Sequence, residues 1–272
     1  METEIKMKNI FFTCSLFGCF YFPCFAQQPV LVKNLKGQSF IEGDISPNQA
    51  KLQALNEAKA ASLKEAGIIE HVNSYQMLFT SQAKNDYSQF FSSDIQSEIQ
   101  GAVGSYTITG EQIYLNENKR IVSEVIIDAE VIKYNTKPDP AFTCNIEGIK
   151  AHYNNGDNLS FVIKVSADCF LNIFNITDNG SSLLFPNNYE SANELSKLKP
   201  YAFPKAEIEY SLGNEQKKVE LNRLLFVFTK TQIPFIKMDK EQICSTEAIF
   251  SWLYAIPPDQ RRTEYFTLTI QK

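Results

Sequence analysis

Apolar and polar positions alternate along the chain in two different rhythms. From Val30 to Tyr134 the rhythm switches between strand-like and helix-like periods. Ser46-Pro47 opens a helix, with Ser as the N-cap and Pro at the first helical position. Gln49 to Ala66 carries it, and Gly67 closes it as a C-terminal cap. Ala50, Ala54, Ala58 and Ala61 recur at helical spacing, widened by Leu55 and Leu63, a narrow stripe suited to lying close on a sheet. Residues 68–82 have the β-branched and aromatic mix of a strand, and residues 88–101 read as a second helix ending at Gly101. Residues 105–115 and 120–134 form two strands joined by the turn Asn116-Glu117-Asn118-Lys119. The pattern predicts an antiparallel sheet with helices on one face.

Lys137-Pro138-Asp139-Pro140 reads as a boundary, since two prolines remove backbone donors and fix an extended link. Beyond it the period is mostly two. Strands are expected at 142–153 and 158–167 around the hairpin turn Asn155-Gly156-Asp157. Strands at 169–177 and 181–186 flank Asp178-Asn179-Gly180. A long strand over 217–230, a late helix at 247–256 capped by Cys244-Ser245-Thr246, and a final strand at 264–272 complete the pattern. The fold class is therefore α+β: a helix-backed N-terminal sheet, then a mostly β, sandwich-like domain with one late helix.

The first 26 residues stand apart from both rhythms. Lys6 and Lys8 precede an apolar run from Ile10 to Phe22, and Ala26 supplies a small residue. That order is the layout of a secretory signal, and the run is shorter than the ~20 residues of a membrane-spanning helix. The expected division is signal peptide 1–26, α+β domain 27–137 and sandwich-like domain 138–272. Cleavage after Ala26 obeys the small-residue rule. A rival reading takes Leu16-Phe17-Gly18-Cys19 as a lipobox with a lipid on Cys19, although Phe17 stands where a small residue is usual. The chain is expected to be exported, to the periplasm or the outer envelope, with no later span.

Charge and composition narrow the partners. A net charge of -5 excludes the basic face that nucleic acid demands. Of six cysteines, Cys144, Cys169 and Cys244 lie beyond the signal. In an oxidising compartment one disulfide among them is one reading and three free thiols the other, with the pairing open.

Gly156-Asp157, Asp168-Cys169-Phe170, the run Leu171 to Phe174, Gly180 and Leu184-Phe185-Pro186-Asn187 together resemble domain-of-unknown-function family 4384 (DUF4384). The resemblance covers about 142–230, and more loosely the remaining tail. That family occurs in bacterial envelope and multidomain signalling proteins, sometimes beside caspase-like or kinase domains. It carries no activity of its own, so the resemblance implies no site residues. The N-terminal segment is similar, less specifically, to the small α+β domain of the flagellar-assembly T protein and related lipoproteins, through its Ala-rich helix and paired strands.

The search for chemistry yields little. His71 and His152 lack a second ligand at metal spacing, and no metalloprotease, paired-cysteine, phosphate-loop or dinucleotide motif occurs. Cys169 lies in an apolar strand without the electropositive setting of a reactive thiol. Glu207 with Glu209, and Asp239 with Glu241, are carboxylate pairs that a hydrolase would need to hold across a cleft. Asp178-Asn179-Gly180 lacks the remaining ligands of a calcium loop. Tyr201, Phe203 and Trp252 are candidate ligand-facing aromatics that sealing of the sandwich edge also explains. No cofactor is expected. The leading expectation is a non-enzymatic interaction module for another envelope protein, with exposed strand edges on either domain accepting a partner strand. Glycan or peptidoglycan binding, and hydrolysis by a carboxylate pair, are the alternatives.

Overall fold

A computed structural model describes residues 29–68, 100–177, 180–213 and 217–272. The expected signal, all but the first residue of the strand expected over 68–82, all but the last two residues of the helix expected over 88–101, His71 and the first two residues of the Asp178-Asn179-Gly180 turn lie outside the described residues. Gly101, expected to close that helix, instead begins a strand. The described chain is β-rich with few helices. Among these residues no helix is long and apolar enough to cross a membrane.

The N-terminal layer consists of β1 (Val30–Phe40), α1 (Pro47–Glu65), β2 (Gly101–Leu115) and β3 (Ile121–Lys133). The sheet order is β1-β3-β2, antiparallel throughout. A capping box starts α1: Gln49 N donates to Ser46 Oγ at 3.3 Å, and Ser46 N donates to Gln49 Oε1 at 2.9 Å. The alanine stripe seats the helix on the sheet. Ala50, Ala54 and Ala58 are fully buried, and a Cβ on Gly37 would fall 1.9 Å from the Ala54 carbonyl oxygen. Only glycine fits beneath that turn. Ala61 departs from the expected stripe and is only half-buried. Ser62 is sealed in beside it, its hydroxyl donating to the Ala58 carbonyl at 2.9 Å.

The second half is a sandwich. A three-stranded sheet, β10 (Tyr201–Phe203), β6 (Phe161–Val165) and β4 (Cys144–Glu147), faces a seven-stranded one. The larger sheet runs β12 (Ile243–Cys244), β8 (Gly180–Phe185), β7 (Cys169–Thr177), β11 (Val219–Thr229), β13 (Arg261–Gln271) and β5 (His152–Asn154), with β9 (Glu194–Leu195) also on β7. Phe161, Phe185, Phe203, Phe226 and Phe228 fill the space between the sheets. The strand expected over 142–153 divides at Gly148, whose φ of 108° breaks the extended run, and its halves join different sheets.

The Asn155-Gly156-Asp157 turn is consequently not a hairpin between neighbours. β5 pairs in parallel with β13, whereas β6 pairs with β4 and β10. Asp157 Oδ2 accepts from Asn154 N at 2.7 Å, and Gly156 N donates to the Leu212 carbonyl at 2.8 Å. These bonds turn the chain from one sheet to the other. β7 and β8 do form the expected hairpin, with Thr177 opposite Gly180.

The late helix α2 (Thr246–Ala255) starts at an N-cap Ser245, whose hydroxyl accepts from Ala248 N at 3.1 Å. Its buried face carries Ile249, Phe250, Leu253 and Tyr254. They join one continuous core with Ala54, Ala58, Val125 and Ile127 on one side and Phe174, Leu225 and Val227 on the other. The helix thus fills the space between the N-terminal layer and the large sheet. Tyr134 hydroxyl donates to the Tyr254 carbonyl at 2.6 Å, and Ser251 Oγ to the Gly104 carbonyl. The Lys137–Pro140 segment is tied down as well: Lys230 Nζ meets Asp139 Oδ2 at 2.6 Å.

Candidate functional site

The three candidate aromatics do not share a surface. Phe203 is 1% exposed, stacked on Phe161 with centroids 4.5 Å apart and edge-on to Phe185 at 5.8 Å. Its place is the sandwich core, so the ligand-facing role is corrected: β10 turns this side chain inward to fill volume between the sheets. Tyr201 is half-buried on the same strand, and its hydroxyl donates to Glu190 Oε1 at 3.3 Å. Trp252 lies in the other core, half-buried and edge-on to Phe174 and Phe235, each at 5.6 Å.

Cys144, Cys169 and Cys244 are free thiols. The large sheet separates Cys244 from the other two, because Cys144 and Cys169 share the sandwich core while Cys244 packs against the core beneath α2. Burial pushes the Cys144 and Cys169 thiols up to about 12 each, helped by Glu264 and Asp168 respectively. Burial and Asp239 raise Cys244 to about 11. Each is held as a thiol, in the opposite sense to an activated nucleophile. His152 is exposed, with Nδ1 2.8 Å from Thr269 Oγ1. The Asp239 carboxylate accepts from Glu241 N and Ile243 N, both at 2.9 Å, so it closes a turn rather than facing Glu241. Glu207 and Glu209 are exposed. Among the described residues no cluster of three or more His, Cys, Asp or Glu side chains could hold a metal.

Two polar groupings were not singled out from the sequence. The first surrounds Glu190, which is 1% exposed. Its Oε1 accepts from Tyr201 and, at 3.1 Å, from Lys205 N. Asn187 holds the adjoining turn: its Oδ1 accepts from Tyr189 N and Glu190 N, while its Nδ2 donates to the Leu184 carbonyl and the Tyr210 hydroxyl. Burial, reinforced by Glu190, raises the Tyr201 phenol; burial also lifts Tyr210, to about 12. The arrangement ties β8, β10 and the connection between them.

The second grouping is a row across the N-terminal sheet. Gln38 and Gln112 donate to Glu124 at 2.6 and 2.8 Å, and Lys36 lies 3.7 Å away. The Gln38 bond, more than any other contact, holds the Glu124 carboxyl below the usual range. The row lies on the face opposite α1, because neighbouring Gly37 and Val125 face the helix.

Strand edges are the remaining feature. In the sandwich they are short: β12 has two residues, β5 and β10 three each, and β4 four. Among the described residues the N-terminal sheet instead ends on an eleven-residue β1 and a fifteen-residue β2. Long edge strands present rows of backbone groups that recruit another strand unless they are defended.

The structure thus defines a β-rich class with a helix-backed sheet joined to a sandwich. Residues 152–231 match the model of a family described as Domain of unknown function (DUF4384). No curated protein and no solved structure matches the chain. The matched region ends at the close of β11, so α2 and β13, which complete the large sheet and its second core, lie beyond it.

Proposed function

We propose that this chain is an exported, non-enzymatic interaction module of the bacterial cell envelope. The single observation that supports this reading most is the contrast in edges. The sandwich terminates in strands of two to four residues, whereas the sheet held against it offers edges of eleven and fifteen. The shared core beneath α2 holds that sheet in a fixed orientation. The basic, apolar and small-residue order of the first 26 residues supplies the motive for export, and the DUF4384 match over 152–231 agrees with the resemblance from which the envelope setting is drawn. The glycan-binding alternative loses its aromatic platform, since Phe203 is core and Trp252 lies in a different core from Tyr201. In-cell crosslinking of a tagged full-length chain, with mass spectrometry of the co-purifying material, tests the reading. One dominant envelope protein, retained on washing and absent from an untagged control, is the expected result. Recovery of no specific protein would overturn it.

A further inference from the structure

The two long edges differ in how well they are defended. On β1, Gln38 N points away from the sheet and donates to Glu57 Oε2 of α1 at 2.7 Å. A bulge between Val32 and Leu35, with Asn34 at a φ of 57°, interrupts the same edge, and Lys33 and Lys36 add charge along it. Bulges, lysines and capped donors are the devices by which edge strands avoid unwanted pairing.

Among the described residues the edge of β2 is covered at its start, where Ser251 of α2 donates to the Gly104 carbonyl. Two bulges, between Val103 and Ser105 and between Ile108 and Gly110, leave Glu111 to Leu115 as an uninterrupted run before the hairpin to β3. In an antiparallel sheet both backbone groups of a residue point to the same side, and the sides alternate. Ile41 N donates to the Ile121 carbonyl, so Ile121 and the odd positions following it on β3 point towards β1. Glu124 therefore points towards β2, and its partner Gln112 points back at β3. Asn116 N, donating to the Arg120 carbonyl, fixes the same alternation at the hairpin. Glu111, Ile113 and Leu115 are left with outward N–H and C=O groups that take no hydrogen bond from the described residues.

The side chains beside this edge are apolar. Ile113 is 56% and Leu115 67% exposed, and they lie on the α1 face beside exposed Ile121. The adjacent charge is already matched, since Lys51 of α1 meets Glu111 at 2.6 Å. Only an extended backbone supplies donors and acceptors at the two-residue repeat of such an edge. We infer that Glu111–Leu115 of β2 is a docking strand that takes an extended segment of a partner protein as a fourth strand of the N-terminal sheet, with apolar side chains of that segment against Ile113 and Leu115.

This inference rests on the interaction reading above, and the experiment separates the two. A photoreactive benzophenone side chain replaces Leu115, Ile113 or Glu111 in turn in the full-length chain, and Lys36 on the opposite edge as control. Irradiation in cells should give an adduct from the three β2 positions and not from Lys36. The crosslinked residue on the partner should shift by two for each step of two along β2. With the label at Leu115, Ile113→Pro should reduce the adduct at least tenfold, because it deletes an outward donor while sparing the ladder to β3. Ile113→Lys, which leaves every backbone donor in place, serves if the proline variant does not fold and should also weaken the adduct. Adducts without the two-residue walk, or indifferent to both variants, would overturn the docking strand. Capture of a partner by the tagged chain without any β2 adduct would overturn this inference alone. Absence of both would overturn the interaction reading with it.

Discussion

Lys59 of α1 and Glu247 in the first turn of α2 meet at 2.8 Å, and the same ammonium lies 4.3 Å from the centre of the Tyr106 ring on β2. Three elements from the two halves of the chain therefore converge on one ion pair. Lys59 is almost completely buried and Glu247 about half-exposed. Burial and Glu247 together raise the Tyr106 phenol. Burial opposes ionisation of Glu247, but the Lys59 ion pair, together with the Tyr106 hydroxyl and Lys237, holds its carboxyl below the usual range.

Removing the negative partner leaves a buried ammonium without its counter-charge. Glu247→Gln should destabilise the chain by about 1–2 kcal/mol, less than a fully buried pair because Glu247 still reaches water. The shared core further requires both halves to unfold together. Emission from Trp252, the only tryptophan, and far-ultraviolet circular dichroism should trace one urea transition. Two separated transitions would show that α2 does not couple the layers.

The Glu190 knot should be a stability feature. Glu190→Ala leaves the Tyr201 hydroxyl and Lys205 N–H without their acceptor, at a cost of about 2–4 kcal/mol. Glu190→Gln retains a carbonyl oxygen and should recover more than half of that loss. Tyr201→Phe should cost about 1 kcal/mol. Chemical denaturation of the three variants decides: an alanine variant as stable as the parent would remove the knot from any account of the fold.

Among the described residues local rules made the two α-helices and most strands legible. Ser46-Pro47, Gly67 and the alanine stripe define α1 because capping and close packing have short-range signatures. Ser245 does the same for α2, and β7, β8 and β11 follow from period and turn residues. What escaped was set by long-range pairing. Nothing in Asn155-Gly156-Asp157 reveals that its flanking strands enter different sheets. Asn187 was visible as part of Leu184-Phe185-Pro186-Asn187, but its partner Tyr210 lies 23 positions away, so its side-chain bonds were not. Glu124 looked like any acidic residue in a strand, since only the β1-β3-β2 order brings Gln38 and Gln112 to either side of it.

The thiols give a prediction about reactivity. With Cys144 and Cys169 raised to about 12 and Cys244 to about 11, against an ordinary value of 9.0, thiolate is scarce at pH 8. Each unit lowers the reactive fraction about tenfold, so iodoacetamide should modify Cys244 about 100-fold more slowly than an unfolded control. Cys144 and Cys169 should be slower again by about tenfold. Residue-resolved mass spectrometry of the native chain checks the order, and fast modification of Cys169 would contradict its burial. The linkage has a definite sign. Folded values above the unfolded one stabilise the protein below pH 9, and that contribution falls away as the pH rises towards 12.

At acid pH the sign is reversed. Glu124 is held below its ordinary value of 4.5, first by the Gln38 amide and then by Gln112 and Lys36, against the opposing effect of burial. A carboxyl lowered on folding stabilises the native state above its unfolded value, and the contribution is lost as the pH falls through the folded one. Glu124→Gln should therefore destabilise at pH 7 and approach the parent protein by pH 3. Asp139, lowered chiefly by its bond from Lys230, should behave in the same direction in Asp139→Asn. Urea titrations at pH 7, 5, 4 and 3 on the parent and each variant measure the difference. If the Glu124→Gln deficit were as large at pH 3 as at pH 7, the ionised carboxylate would not be the stabilising form. The row across β1, β3 and β2 would then owe its stability to packing alone.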